Sequence, residues 1–99
     1  MKKLPRKEDA QETALVRLFG SISRARILQL FLSQKDRNYY QRQIMYDTGL
    51  TLNPVQRELA NLTSLGILKK EKTRSRVYYS LNHASQLLDN LTGNIEKIS

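Results

Sequence analysis

Asn53, Gln56, Arg57, Ala60, Asn61 and Ser64 fall together on one side of a helix when the chain is wound at about 100° per residue. Asn, Gln and Arg carry donors and acceptors that match the edges of base pairs in a major groove, and Ala and Ser allow close approach. A face that only meets water is more often filled with Lys and Glu, so the pattern points to base-edge hydrogen bonding, with an ordinary solvated face as the plain alternative. A second group follows, in which Lys69, Lys70, Lys72, Arg74 and Arg76 surround the single acid Glu71. Cations at that density neutralise phosphates. The competing reading is an edge strand whose charges discourage aggregation.

The elements that must position these groups can be read locally. Asp47, Thr48 and Gly49 end a short helix over residues 41–48, because Gly adopts the left-handed conformation that closes a helix. Asn53 as N-cap and Pro54 as first helical residue start a second helix over residues 53–65, and Gly66 closes it. Val55, Leu59 and Leu62 point inward with Leu65 at their margin, and Leu50 and Leu52 of the linker pack inward too. Two short helices joined by a Gly turn and followed by a basic hairpin have the form of a helix-turn-helix with a wing, whose second helix enters a DNA groove. Pro54 then counts with the outward set at the start of that helix, and Gln41 and Arg42 offer donors to the phosphate backbone. In the hairpin, Val77 and Tyr79 face the core while Arg76, Tyr78 and Ser80 face out, or the register is shifted by one.

The remaining chain supplies a core. Residues 1–7 form a basic arm with a loosely held tip, and residues 8–99 one domain. A helix over residues 8–19 carries Ala14, Leu15, Leu18 and Phe19 as its stripe, with acids near its start where the helix dipole favours them. Ser23 caps a helix running to Ser33 that is apolar on several sides through Ile27, Leu28, Leu30, Phe31 and Leu32, which marks it as central. Residues 34–38 read as a loop, Tyr39 and Tyr40 as a very short strand, and Ile44 and Met45 as core residues of the next helix. The last segment, residues 82–99, is a helix capped near Asn82, with a break after Thr92 left open by Gly93 and Asn94. Leu88, Leu91, Ile95 and Ile98 recur in a seam rhythm, which together with Leu15 and Leu18 of the first helix predicts a homodimer interface; a stripe that covers only its own core is the alternative. The expected fold class is mainly α with a small β-hairpin, α+β.

Composition narrows the function classes. Ninety-nine residues build a small core but not a core plus a deep catalytic cleft. Lys and Arg number 17 against 9 Asp and Glu, a net charge of +8 and a pI near 10.1, which attracts polyanions; solubility is the alternative use of such charge. The absence of cysteine excludes thiolate metal sites, disulfides and cysteine catalysis. His83 is the only histidine and reads as a residue at a helix N-terminus. There is no Gly-rich phosphate loop, nucleophile elbow or His-Glu metal motif, so neither catalysis nor a cofactor or metal is expected. No apolar run approaches a membrane span and the N-terminus lacks a signal-peptide core, which predicts a cytoplasmic protein. The five tyrosines sit in strand-like or core-like positions and are expected to pack rather than stack on bases.

The RARIL segment, the TGL turn, VQREL, LGIL and the YY strand ending in LN, all within residues 18–91, resemble the winged helix-turn-helix regulators of the arsenic-repressor-like superfamily. The resemblance implies a dimeric repressor of double-stranded DNA, with outer helices for dimerisation, the helix of residues 53–65 in the major groove and the wing of residues 69–76 on the backbone or minor groove. The chain departs from the metal-sensing branch, which uses cysteine or histidine clusters that are missing here. Small winged-helix domains joined to a nucleotidyltransferase are also similar, and they imply a second role, that of an adaptor whose main partner is a protein.

Overall fold

The computed structural model describes residues 21–96, with side chains placed as far as Asn90 in the last helix. Its first helix, α1 (Ile22–Ser33), begins at Ser21, whose Oγ accepts a hydrogen bond from the Arg24 N–H at 3.2 Å. The cap is therefore Ser21 and not Ser23, which lies inside the first turn. Ala25, Ile27, Leu28 and Phe31 of α1 are fully buried, and Leu30 and Leu32 pack against the same cluster. A helix apolar on this many sides has to be covered from several directions. The covering elements are α2, α3 and β3, described next.

Residues 34–38 lead into β1 (Tyr39–Tyr40), as expected of the loop and the two tyrosines. The Tyr39 ring meets Phe31 edge to face, with centroids 4.9 Å apart, and anchors the strand on α1. The chain passes directly into α2 (Gln41–Thr48), where Ile44 is the buried residue and Met45 is half-buried. Gly49 closes α2 at φ 73°, its N–H donating to the Met45 carbonyl at 2.9 Å. Thr48 Oγ1 braces the turn by donating to the Ile44 carbonyl and accepting from the Leu50 N–H.

The next helix, α3 (Leu52–Ser64), has its N-cap two residues earlier than the sequence suggests. Thr51 occupies the N-cap, so Asn53 is helical and Pro54 is the third helical residue. Pro is tolerated there because the N–H groups of the first turn have no intrahelical acceptor. Val55, Leu59 and Leu62 are buried as their spacing requires, whereas Leu52 is 44% exposed and does not join Leu50 against the core. Leu65 at the margin is also exposed. Gly66, at φ 78°, donates to the Thr63 carbonyl while Ile67 donates to Leu62, the paired bonds of a Schellman stop.

Two strands follow, β2 (Leu68–Lys72) and β3 (Val77–Leu81), in an antiparallel sheet of order β1-β3-β2. Tyr39 pairs with Tyr79, and Leu68 pairs with Leu81. The first of the two registers open in the sequence is the one adopted: Tyr79 and Leu81 are buried and Val77 packs against the core. Asn82 ties the end of the hairpin to its beginning, its N–H donating to the Ile67 carbonyl and its Nδ2 to the Gly66 carbonyl, both at 2.9 Å. Asn82 thus locks the hairpin rather than capping a helix. The last helix, α4 (Gln86–Glu96), is capped by Ser85, whose Oγ accepts from the Leu88 N–H at 3.1 Å, and it runs through Gly93 without a break. Leu88 is buried against the core. His83 lies in the turn before α4, with Nε2 3.1 Å from the Lys35 carbonyl, and joins that turn to the loop after α1.

The architecture is α+β, with four helices and a three-stranded antiparallel sheet among the described residues. The arm of residues 1–7, the helix expected over residues 8–19 with Leu15 and Leu18, and Ile98 lie outside the described residues, as do the side chains of Leu91 and Ile95. Gly49 offers a direct check on how α2 is stopped. A Cβ at Gly49 would meet nothing within 4 Å, so Gly49→Ala costs only the left-handed backbone conformation, about 1 kcal/mol, and Gly49→Asn recovers part of it. Urea denaturation of the two variants measures both values.

Candidate nucleic-acid interface

Burying Val55, Leu59 and Leu62 forces the opposite side of α3 outward. Asn53, Gln56, Arg57, Ala60 and Ser64 are all exposed, and Asn61 and Pro54 are half-buried at the edges. The one acid of α3, Glu58, does not share this face. It occupies a position of the apolar stripe, is 3% exposed, and receives the Arg24 guanidinium through Nε at 2.6 Å. Arg57 Nε approaches the other carboxylate oxygen at 3.4 Å while its side chain stays 62% exposed. The exposed face of α3 is left with donors, neutral acceptors and a cation, and with no anion.

Sequence reasoning missed Glu58. The signal was available, because Val55, Glu58, Leu59 and Leu62 follow the i, i+3, i+4, i+7 rhythm, and an acid inside that stripe needs a cation in the core. Which cation meets it, 34 positions away, was not visible in the chain. The contact also fixes the roll of α3 on α1, since Arg24 belongs to the first turn of α1.

The hairpin distributes its charges by strand alternation. Lys70 and Lys72 pair with Tyr79 and Val77 and share the face of Leu68, whereas Lys69 and Glu71 lie on the opposite face with Ser80 and Tyr78. Lys70 reaches toward α3: with Gln41, Gln56, Ala60 and Thr63 it lines a groove of about 340 Å3 floored by Leu59 and Tyr79. This groove gathers one expected residue from α2, two from α3 and one from the hairpin. Arg74 sits in the turn that the Thr73 N–H closes on the Arg76 carbonyl at 2.8 Å, and Lys69, Lys72, Arg74 and Arg76 are all exposed.

Glu71 is held away from the groove by Tyr78, whose hydroxyl donates to its carboxylate at 3.0 Å. That hydrogen bond, and the carboxylate charge behind it, push the Tyr78 hydroxyl above its ordinary value, and burial does the same to Tyr79. Both phenols are therefore neutral at neutral pH. Arg42 departs from its expected place beside Gln41: it lines a separate cleft with Tyr40, Tyr46 and Arg76. The tyrosines do not all pack, since Tyr46 is 88% exposed.

Among the described residues no group of His, Asp and Glu could hold a metal ion, and no helix is long and apolar enough to cross a membrane. Comparison with protein-family models, curated proteins and solved structures gave no match for this chain.

Arg24→Ala strands Glu58 against the core with only the exposed Arg57 as partner. It is expected to destabilise the fold by about 3 kcal/mol, and Arg24→Met with Glu58→Leu to restore stability to within about 1 kcal/mol of wild type. Chemical denaturation of the single and double variants tests the pair.

Proposed function

We propose that this protein is a winged helix-turn-helix regulator that binds specific sites in double-stranded DNA, in the manner of the arsenic-repressor-like superfamily but without metal sensing. In this reading α3 enters the major groove, where Asn53, Gln56 and Arg57 hydrogen-bond base edges while Ala60 and Ser64 permit close approach. Lys70, across the groove from α3, and Lys69, Lys72, Arg74 and Arg76 of the hairpin take phosphates or the minor groove. Gln41 and Arg42 add backbone contacts. A dimer, joined through the segments of residues 8–19 and 82–99, would place two copies of α3 on a symmetric site and act as a repressor.

The observation that carries the reading is the sorting of charge around α3. Its outward face carries polar side chains and no acid, its only carboxylate is turned inward against Arg24, and the adjoining hairpin presents five cations to one acid. A solvated helix has no need for such sorting, whereas a polyanion packed against α3 would be repelled by any exposed carboxylate.

The test is fluorescence-anisotropy binding to the duplex upstream of the protein's own gene and to a scrambled duplex, each over a range of salt. Tighter binding to the native duplex that persists as salt rises supports the reading; equal and steeply salt-sensitive binding refutes sequence-specific recognition of that duplex. Within the same assay, Arg57→Ala weakens the specific complex by about 1–3 kcal/mol and relaxes base preference, which a binding-site selection would report. Arg74→Ala with Arg76→Ala weakens all duplexes alike and flattens the salt slope by about 0.9 for each phosphate that the hairpin no longer neutralises. An unchanged slope removes the hairpin from the backbone.

A further inference from the structure

The cleft that takes Arg42 away from the groove beside α3 has a chemistry of its own. It measures about 590 Å3 and is walled by Tyr40, Arg42, Gln43, Tyr46, Arg76 and Val77. Tyr46 projects from α2 with 88% of its surface in solvent, and Tyr40 is 41% exposed. The Tyr40 ring is held in place: the Arg76 guanidinium lies over it at 5.2 Å, and Tyr78 meets it edge to face at 6.1 Å. Among the described residues no acid lines the cleft.

From this arrangement we infer that the cleft binds unpaired nucleotides of a single DNA strand, with bases stacked on the Tyr46 and Tyr40 rings and phosphates on Arg42 and Arg76. Flat apolar rings flanked by guanidinium groups match the alternation of base and phosphate along a strand. The bases of a duplex are stacked on one another and offer no free face to Tyr46, so the two rings set this site apart from the proposed duplex surface, with which it shares Arg42 and Arg76. An acidic peptide would satisfy the arginines but leave both rings without a partner. A strand, unlike a free nucleotide, can lie across so open a cleft and engage both arginines at successive phosphates.

The experiment uses the full chain and a short dye-labelled oligothymidylate, followed by anisotropy at fixed salt. Tyr46→Ala is expected to weaken binding about 5- to 100-fold, the range for removal of one stacked base, and Tyr46→Phe to bind like wild type. An abasic oligomer of equal length, which loses the stack on Tyr40 as well, is expected to bind the wild type at least as weakly as oligothymidylate binds Tyr46→Ala. Because Tyr46 lies outside the duplex surface, Tyr46→Ala keeps wild-type duplex affinity, and absence of specific duplex binding leaves the single-strand measurement readable. Circular dichroism matching the wild type confirms that Tyr46→Ala is folded. Equal affinity of Tyr46→Ala and wild type for oligothymidylate would overturn the inference. So would an abasic oligomer that binds as tightly, or a polyglutamate peptide that competes as well as the oligonucleotide, since either reduces the cleft to a general anion surface.

Discussion

The enclosure of α1 is the constraint on which the other elements depend. Ala25, Ile27, Leu28 and Phe31 are all withdrawn from water, and Leu30 and Leu32 extend the apolar surface around the helix. Removing that surface from water is the main favourable contribution to folding at this size, and one neighbouring helix cannot cover it. Hence α2, α3 and β3 all pack on α1, and Tyr39 brings β1 onto Phe31. The short joints follow from this requirement. Gly49 and Gly66 stop two helices abruptly enough for each following element to return to the same core.

Electrostatics is sorted by the same packing. The apolar stripe of α3 takes Glu58 inward, and Arg24 of α1 compensates the buried carboxylate through a short Nε contact. Such a pair adds little net stability compared with apolar side chains of the same volume, but it disfavours any packing in which the two ends separate. Its other consequence lies at the surface. With Glu58 buried and Glu71 held by Tyr78 on the far face of the hairpin, no described residue brings a negative charge to the groove between α3 and Lys70. Part of the net charge of +8 is thereby gathered into a local field beside α3.

The two proposed surfaces diverge at adjacent residues. Gln41 lines the groove beside α3, and Arg42 lines the tyrosine cleft, because successive residues at the start of a helix point about 100° apart. Arg42 and Arg76 belong to both readings, Arg42 as a backbone donor and Arg76 as a hairpin cation and as the group that holds the Tyr40 ring. A duplex and an unpaired strand engaged at once would therefore compete for Arg42 and Arg76 while leaving Gln56, Arg57 and Tyr46 to separate ligands.

Wherever a conformation is set by a residue and its immediate neighbours, the sequence alone determined the outcome. Gly49 and Gly66 adopt the left-handed backbone that their type favours, residues 41–48 form α2, and Val55, Leu59 and Leu62 turn inward together. The hairpin is a mixed case: its alternation left two registers open, and packing on the core decided that Val77, Tyr79 and Leu81 turn inward. Helix starts were less legible, because several residues were competent caps: Ser21, Thr51 and Ser85 hold those positions where Ser23, Asn53 and Asn82 were equally suited. Only the tertiary structure decided that Leu52 stays in water, that Arg24 meets Glu58, that Lys70 faces α3, and that Tyr46 stands free beside Arg42. Each of these depends on residues far apart in the chain brought together by the burial of α1, and no local propensity encodes which of many cations or apolar surfaces will arrive.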